Sequence, residues 1–258
     1  MIELSLWTIL LLALAAGAAG WVDAVSGGGG LLQLPALFIA LPAGNEVNAL
    51  ATNKLSSFFG TATAARTYIK HLNPDWKTAL PMAAVAFIFS ALGAATAHLV
   101  PTEYFGTGIV IALALVWIWT LLNPLMGQSS KMRWGGRKRH YVVAVGVGAL
   151  IGFYDGIFGP GTGSFLLIAL VGLLGYSFLA ASSTAKIVNL GTNAAALLVF
   201  GFSGSILWTL GLLMALCNVL GAYFGARMAI TRGSPFVRIV FLAIVAILII
   251  RLAWDLWA

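Results

Sequence analysis

The stretch "GFYDGIFGPGTGSF", residues 152–165, joins two apolar segments, and it has a counterpart earlier in the chain. The counterpart is "GWVDAVSGGGG", residues 20–30, in which an aspartate and three glycines recur at an offset of 132 residues. The same offset relates further pairs without a gap: Thr52 and Thr184, Lys54 and Lys186, Trp76 and Trp208, Met82 and Met214, Gly93 and Gly225. We infer two homologous halves, an arrangement typical of transporter folds.

The composition predicts an all-α polytopic membrane protein. Hydrophobic residues make up 61% of the 258 residues and charged residues only 8%, whereas a soluble domain is about a quarter charged. Apolar runs of about 20 residues are long enough to cross a bilayer as helices. The net charge of +7 is concentrated in short loops, which indicates membrane topology rather than nucleic-acid binding.

Each half divides into five apolar segments, and the second of each half is short. The short segments, 31–42 and 164–174, are twelve and eleven residues long, which is about half of a bilayer core as a helix. We expect an N-terminal transmembrane repeat at 1–126, a basic linker at 127–139 and a C-terminal repeat at 140–258. The full set of predicted segments is 4–24, 31–42, 47–69, 77–99 and 104–125, then 140–157, 164–174, 179–202, 206–228 and 236–255.

The basic loops predict how the halves are oriented. The linker 127–139 holds five basic residues, and short basic loops stay in the cytoplasm. Two other loops are basic, near 66–77 and 227–238. If each short segment counts as a crossing, all three basic loops fall on the cytoplasmic side. This count favours inverted repeats in a multi-pass membrane protein.

Four charged residues lie in the predicted membrane zone: Asp23, Lys54, Asp155 and Lys186. A charge at the bilayer centre costs at least about 2.5–3.5 kcal/mol on insertion scales, so it usually marks function. One interpretation is structural ion pairing within each half, Asp23 with Lys54 and Asp155 with Lys186. The other is that the two lysines face a central cavity and bind an anion. The interpretations are compatible, and the aspartates are also candidates for carrying coupled protons.

The Gly-rich loops favour anion binding, because each leads into the N-terminus of a short helix. Such an end carries unsatisfied N–H groups and partial positive charge, and glycines let the backbone approach a ligand closely. Taken alone, either loop would equally suit a tight turn or a helix crossing. The predicted substrate-binding residues are the two lysines with Gly28, Gly29, Gly30, Asn53, Gly161, Thr162, Gly163, Ser164 and Asn189; Asn193 shares the helix face of Asn189.

The motifs "GGGGLL", "ALATNK" and "GFYDGIFGPGTGSF" resemble the sulfite exporter TauE/SafE family, also described as toluene sulfonate uptake permeases. The resemblance covers essentially the whole chain. It implies a secondary transporter of the bacterial inner membrane for sulfite, sulfonates, sulfoacetate and related organic anions. The mechanism that we expect is alternating access, with the halves rocking about a central anion site. The first loop lacks the Pro and Thr of the second, so the two halves of the site need not be equivalent.

The same residues allow other functional classes to be compared. An anion or small-solute channel would also suit inverted halves with short helices, although two lysines and two helix N-termini favour tight binding over conduction. An enzyme is not expected, since His71, His98 and His140 fall at segment ends, where we expect interfacial roles. We predict no cofactor, no metal and no nucleic-acid partner. The expected partners are a small anion and the lipid bilayer, with protons and the oligomeric state left open.

Overall fold

A computed structural model of the chain describes residues 4–42, 44–97, 114, 117–118, 120–123 and 125–257. Across these residues the regular secondary structure is helical. A π-helical turn, Leu170–Leu174, extends the sixth helix. The helices are α1 (Leu6–Ser26), α2 (Gly29–Ala40), α3 (Glu46–His71), α4 (Trp76–Thr96), α5 (Lys138–Ile157), α6 (Thr162–Ala169), α7 (Phe178–Phe202) and α8 (Trp208–Trp257).

These helices confirm most of the predicted segments to within three residues at each end. The predicted segment 104–125 lies largely outside the described residues. The predicted segments 206–228 and 236–255 both fall in α8, which is interrupted at Gly233 with φ 74° and ψ −171°. Pro235 follows the interruption, where its fixed φ suits the first turn of a new helix.

The outer surface is apolar, as expected of a protein embedded in lipid. Among the described residues, five helices are long and apolar enough to span a bilayer: α1, α4, α5, α7 and α8. Large side chains such as Leu14, Leu150, Phe202 and Leu216 point outward and are at least 66% exposed. The short apolar helices are α2 and α6 with its π-helical extension. The chain is therefore a multi-pass membrane protein.

Two helix pairs bring the halves together through small residues. Helix α1 packs against the first part of α8, and α5 packs against α4. A side chain at Gly20 would collide with the backbone of Asn218, and one at Gly152 would collide with that of Ala86. These two contacts are the same contact in the two halves, because each residue is related to its counterpart by the 132-residue offset. Such close approach is typical of membrane helices.

Helices α3 and α7 cross at the centre and run antiparallel. Asn48 near the start of α3 donates to the carbonyl of Ser205, just after α7 ends, at 2.9 Å. Farther along α3, Thr61 accepts from Asn193 in α7 at 3.3 Å. Residue numbers therefore rise in α3 as they fall in α7. The predicted site residues lie at this crossing and at the starts of α2 and α6.

Candidate functional site

Two buried ion pairs lie between the halves of the molecule. Lys54 of α3 contacts Asp155 of α5 at 2.7 Å, and Lys186 of α7 contacts Asp23 of α1 at 2.8 Å. The pairing predicted within each half is therefore wrong, because each lysine bonds to the aspartate of the other half. The reason lies in the packing: α1 and α5 each lie against helices of the opposite half.

The two pairs differ in their access to solvent. Lys54, Lys186 and Asp155 are at most 2% exposed as whole residues. The side chain of Asp23 is 15% exposed, whereas that of Asp155 is only 2% exposed. The two halves of the site are therefore unequal. The Lys186–Asp23 pair is the one that water and small ions reach more easily.

Two further side chains join the ion pairs into one network. Lys54 donates to Asn193 Oδ1 at 3.3 Å, and Asn193 Nδ2 donates to Thr61 Oγ1 at 3.3 Å. Thr61 in turn donates to Asp23 Oδ2 at 3.4 Å. Hydrogen bonds to charged groups are stronger than neutral ones, so this chain couples the two pairs. Thr61 and Asn193 are themselves related by the 132-residue offset, but their residue types differ, so the repeat of identical residues does not identify Thr61 from the sequence.

The Gly-rich loops cross each other beside this network. Gly27 ends α1 in the left-handed region at φ 81°, and its carbonyl accepts from the backbone N–H of Ser164 at 3.1 Å. A side chain on Gly163 would overlap the backbone of Gly27. Gly159, also left-handed, leaves space for Lys54, since a Cβ there would lie 3.3 Å from Nζ. The glycines thus allow two backbones and a lysine to meet at one place.

The other predicted site residues of the two Gly-rich loops lie at or near the starts of α2 and α6. Gly28 and Gly161 precede the first residues of α2 and α6, and neither caps its helix with a side chain. Thr162 donates to Asp155 Oδ1 at 2.7 Å, and Ser164 donates to the carbonyl of Ser26 at 3.0 Å. Gly29 packs against α1, and Gly30 lies near the second loop.

The two asparagines are buried on the lysine helices. Asn53 is 3% exposed, and its Oδ1 has no hydrogen-bond partner among the described residues. Asn189 is 5% exposed and accepts from Thr192 at 3.2 Å. Both therefore have hydrogen-bonding capacity close to the network.

A second polar cluster lies where α3 connects to α4. Asp75 Oδ2 accepts from Thr78 at 2.8 Å and from Tyr176 at 2.7 Å. Burial alone would raise the pKa of Asp75, but these hydrogen bonds and the nearby His140 lower it below its ordinary value. Burial raises the pKa of Tyr176. These contacts keep the carboxylate of Asp75 charged at the end of the connection between α3 and α4.

His140 lies in the first turn of α5, at the segment end where the sequence places it. The residue is 1% exposed, and its Nε2 lies 3.1 Å from the hydroxyl of Thr78 and 3.3 Å from that of Tyr176. Its interfacial role stays a prediction. His98 lies outside the described residues. Within the described part of the chain, no three His, Cys, Asp or Glu side chains are grouped so that they could hold a metal ion.

Comparison with known proteins identifies relatives over nearly the whole chain. The family model described as sulfite exporter TauE/SafE matches residues 12–252. A Sinorhizobium protein named "Probable membrane transporter protein ORF9" is 36% identical over 256 residues, which cover 99% of this chain and 96% of that protein. No solved structure matches the chain.

Two further relatives carry similar names. "Probable membrane transporter protein YfcA" of Escherichia coli is 32% identical over 237 residues, covering 92% of this chain and 86% of that protein. A "Probable membrane transporter protein" of Haemophilus influenzae is 32% identical over 221 residues, covering 85% of this chain and 84% of that protein.

Proposed function

The chain belongs to the sulfite exporter TauE/SafE family, and we propose that it is a secondary transporter for a sulfur-containing or related organic anion. The substrate is of the sulfite and sulfonate class, and it crosses the bacterial inner membrane by alternating access. The basic linker 127–139 lies in the cytoplasm.

One observation carries this proposal: two lysines from equivalent positions are buried together with their aspartates at the crossing of α3 and α7. Burying four charges in an apolar protein is costly, and charges retained within a membrane usually serve a transported ion. The lysine ammonium groups supply the positive charge that an anionic substrate needs. The N-termini of α2 and α6, with their glycines, add N–H groups nearby.

The two halves are inverted repeats in this proposal. The antiparallel run of α3 and α7 supports it, because these helices are equivalent in sequence and a two-fold axis in the membrane plane reverses helix direction. The symmetric contacts at Gly20 and Gly152 support it as well.

Substrate binding and movement are coupled through the ion pairs. A sulfonate oxygen accepts hydrogen bonds from a lysine as a carboxylate oxygen does, so the anion takes the place of an aspartate. Because each aspartate belongs to the other half, this replacement weakens a bond between the halves and lets them move. Protonation of Asp23, the more exposed aspartate, releases Lys186 in the same way and makes this pair the candidate for proton coupling.

The remaining predicted residues line the bound anion in this proposal. Asn53 and Asn189 supply amide groups from the two lysine helices. The start of α2 contacts the anion through Gly28, Gly29 and Gly30, and the start of α6 contacts it through Gly161, Thr162, Gly163 and Ser164. Support comes from the proximity of this loop to Lys54, whose Nζ would lie 3.3 Å from a side chain at Gly159.

The test is a thermal-shift screen of the purified protein against sulfite, thiosulfate, sulfoacetate, taurine and carboxylates without sulfur. We expect sulfonates or sulfur oxyanions to raise the melting temperature, since a ligand stabilises the state that it binds. The variant Lys54→Gln/Asp155→Asn keeps the pair uncharged and should lose the response. Lys70→Gln, at an exposed lysine, serves as the control and should keep it.

Reconstitution then separates a carrier from a channel. Saturable uptake with counterflow in proteoliposomes is the expected result. An unchanged response in the Lys54→Gln/Asp155→Asn variant, or single-channel currents in place of saturable flux, would contradict the proposal.

A further inference from the structure

A cavity of about 340 Å³, with several polar side chains in its lining, lies on the face of the molecule that carries the linker 127–139. Its walls come from the connection between α3 and α4, from Ser130 and Met132 of the linker, and from the start of α7. Ser183 and Thr184 line it, are 1% and 0% exposed, and have hydroxyls without a hydrogen-bond partner among the described residues. Buried hydroxyls without partners are costly, which points to a ligand that satisfies them.

The equivalent place in the other half is closed. Asn48 Nδ2 donates to the carbonyl of Ser205 at 2.9 Å, and the backbone N–H of Leu207 donates to Thr52 Oγ1 at 3.2 Å. Ile206 lies between these contacts and packs into a buried cluster with Ala51 and Leu55. We call these two hydrogen bonds, together with Ile206, the clasp.

The 132-residue offset relates the clasp to the cavity residue by residue. In α3 and α7, Asn48 corresponds to Ala180 and Thr52 to Thr184. In the two connections, Ser205 corresponds to Asn73, Ile206 to Pro74 and Leu207 to Asp75. The same sequence positions are therefore bonded together on one face and separated by a cavity on the other.

We propose that the cavity is the entry site for a small oxyanion from the linker face, with Ser183 and Thr184 as its binding hydroxyls, and that the clasp seals the equivalent site on the opposite face. This inference rests on the proposed transport function and adds the route by which the substrate reaches the lysines. The state described here is open toward the linker and closed on the other side.

The chemistry of the cavity fits an oxyanion. Hydroxyl groups donate to oxyanion oxygens. Ser183 lies three residues before Lys186 in α7, so the two side chains share a helix face, and Lys186 carries the positive charge. Asp75 is the charged residue on the wall formed by the connection between α3 and α4, where it accepts from Thr78 and Tyr176, so the anion binds at the hydroxyls of α7. An anion bound at Ser183 is thus placed less than one turn of helix from the lysine that receives it.

The geometry also predicts how the cavity closes. In the opposite state, the connection between α3 and α4 moves onto the start of α7, and the N–H of Asp75 donates to Thr184 as that of Leu207 does to Thr52. The clasp opens at the same time, because the two faces exchange roles.

Cysteine accessibility tests the inference on the full-length protein. In a Cys217→Ser background, Thr184→Cys and the matched Thr52→Cys are reacted with a charged methanethiosulfonate reagent in proteoliposomes open to both faces. Both threonines are 0% exposed, but a cavity adjoins Thr184 whereas the clasp covers Thr52. We therefore expect Thr184→Cys to react at least about tenfold faster, because thiol reactivity follows access. Ala180→Cys and Asn48→Cys form a second matched pair, in case either first variant folds poorly. Equal rates within both pairs, or faster reaction on the clasp side, would overturn the inference.

Two further measurements complete the test. Sulfoacetate should slow the reaction of Ala180→Cys, which keeps both hydroxyls, and an unchanged rate at concentrations that saturate the thermal shift would overturn the role of the hydroxyls. Adding Asn48→Ala should speed the reaction of Thr52→Cys by breaking the clasp, and an unchanged rate would overturn the role of the clasp.

If the lysine variants lose anion binding while both matched pairs react equally, the proposed function stands and only this inference fails. If the matched pairs differ but Lys54→Gln/Asp155→Asn keeps its anion response, the anion site fails while the sided access remains.

Discussion

At the scale of the residue, the partner of each lysine is the decisive fact. Lys54 bonds to Asp155 and Lys186 to Asp23, so both ion pairs join the two halves. Removing one partner of a buried pair leaves an uncompensated charge, which typically costs about 3–5 kcal/mol. A single lysine substitution therefore changes stability as well as binding, and variants must neutralise both members of a pair.

A double-mutant cycle tests the pairing between halves. We expect Lys54→Gln/Asp155→Asn to be markedly more stable than the sum of its single variants, with a coupling energy of about 1–3 kcal/mol, because neutralising both partners removes the stranded charge. The measurement is the free energy of unfolding in detergent. Lys54→Gln/Asp23→Asn is the matched control, since it combines members of different pairs. Equal coupling in the two cycles would show that the pairing is not as described.

At the scale of the element, glycine sets how closely the helices pack. Gly20 and Gly152 lie against the backbones of Asn218 and Ala86, where a methyl group has no room. The same residues repeat in both halves because both make the same contact. The helix interfaces are therefore specified by residues that have no side chain, as is common in membrane proteins.

Adding one methyl group tests this packing. We expect Gly20→Ala or Gly152→Ala to destabilise the protein by about 1–3 kcal/mol, because overpacking forces the helices apart. The measurement is the melting temperature of each variant. Gly146→Ala, also in α5, is the control, because nothing lies within 4 Å of its added Cβ. If the melting temperature of Gly146→Ala fell as far as that of the other two variants, the packing explanation would be contradicted.

At the scale of the whole molecule, the two halves are unequal at the aspartates and at the two faces. Asp23 is more exposed than Asp155, and a cavity on one face corresponds to closed contacts on the other. An inverted-repeat carrier needs this inequality, because one site must open to one side at a time. The proposed exchange of the two arrangements is how the substrate would cross.

The orientation of the halves is tested by labelling intact cells. Asn73→Cys and Ser203→Cys are exposed positions in equivalent connections, made in the Cys217→Ser background. Inverted repeats place them on opposite sides of the membrane, so an impermeant maleimide should label Ser203→Cys in intact cells and Asn73→Cys only after permeabilisation. Labelling of both from the same side would exclude inverted repeats. Lysed cells, in which both must react, provide the control.

Much of this fold follows from the sequence, because its physical causes are local. Apolar runs with few charges predicted where the described helices lie, and the Gly-rich loops lead into the short helices α2 and α6 as predicted. The 132-residue offset identified Lys54 and Lys186, Asp23 and Asp155 as matched sets. These features depend on neighbouring residues and on repetition along the chain, which a sequence displays directly.

What only the tertiary structure decided depends on which helices of the two halves meet. Each half supplies one Asp and one Lys, so the sequence allows pairing within a half. The structure differs, because α1 packs against the opposite half and Asp23 reaches Lys186. Thr61 gains its place only by contact with Asn193, and the burial of His140 arises from its contacts with α4 and with Tyr176. The sequence determined the elements and the charged residues; long-range packing decided the partners, because contacts between distant segments leave no local pattern.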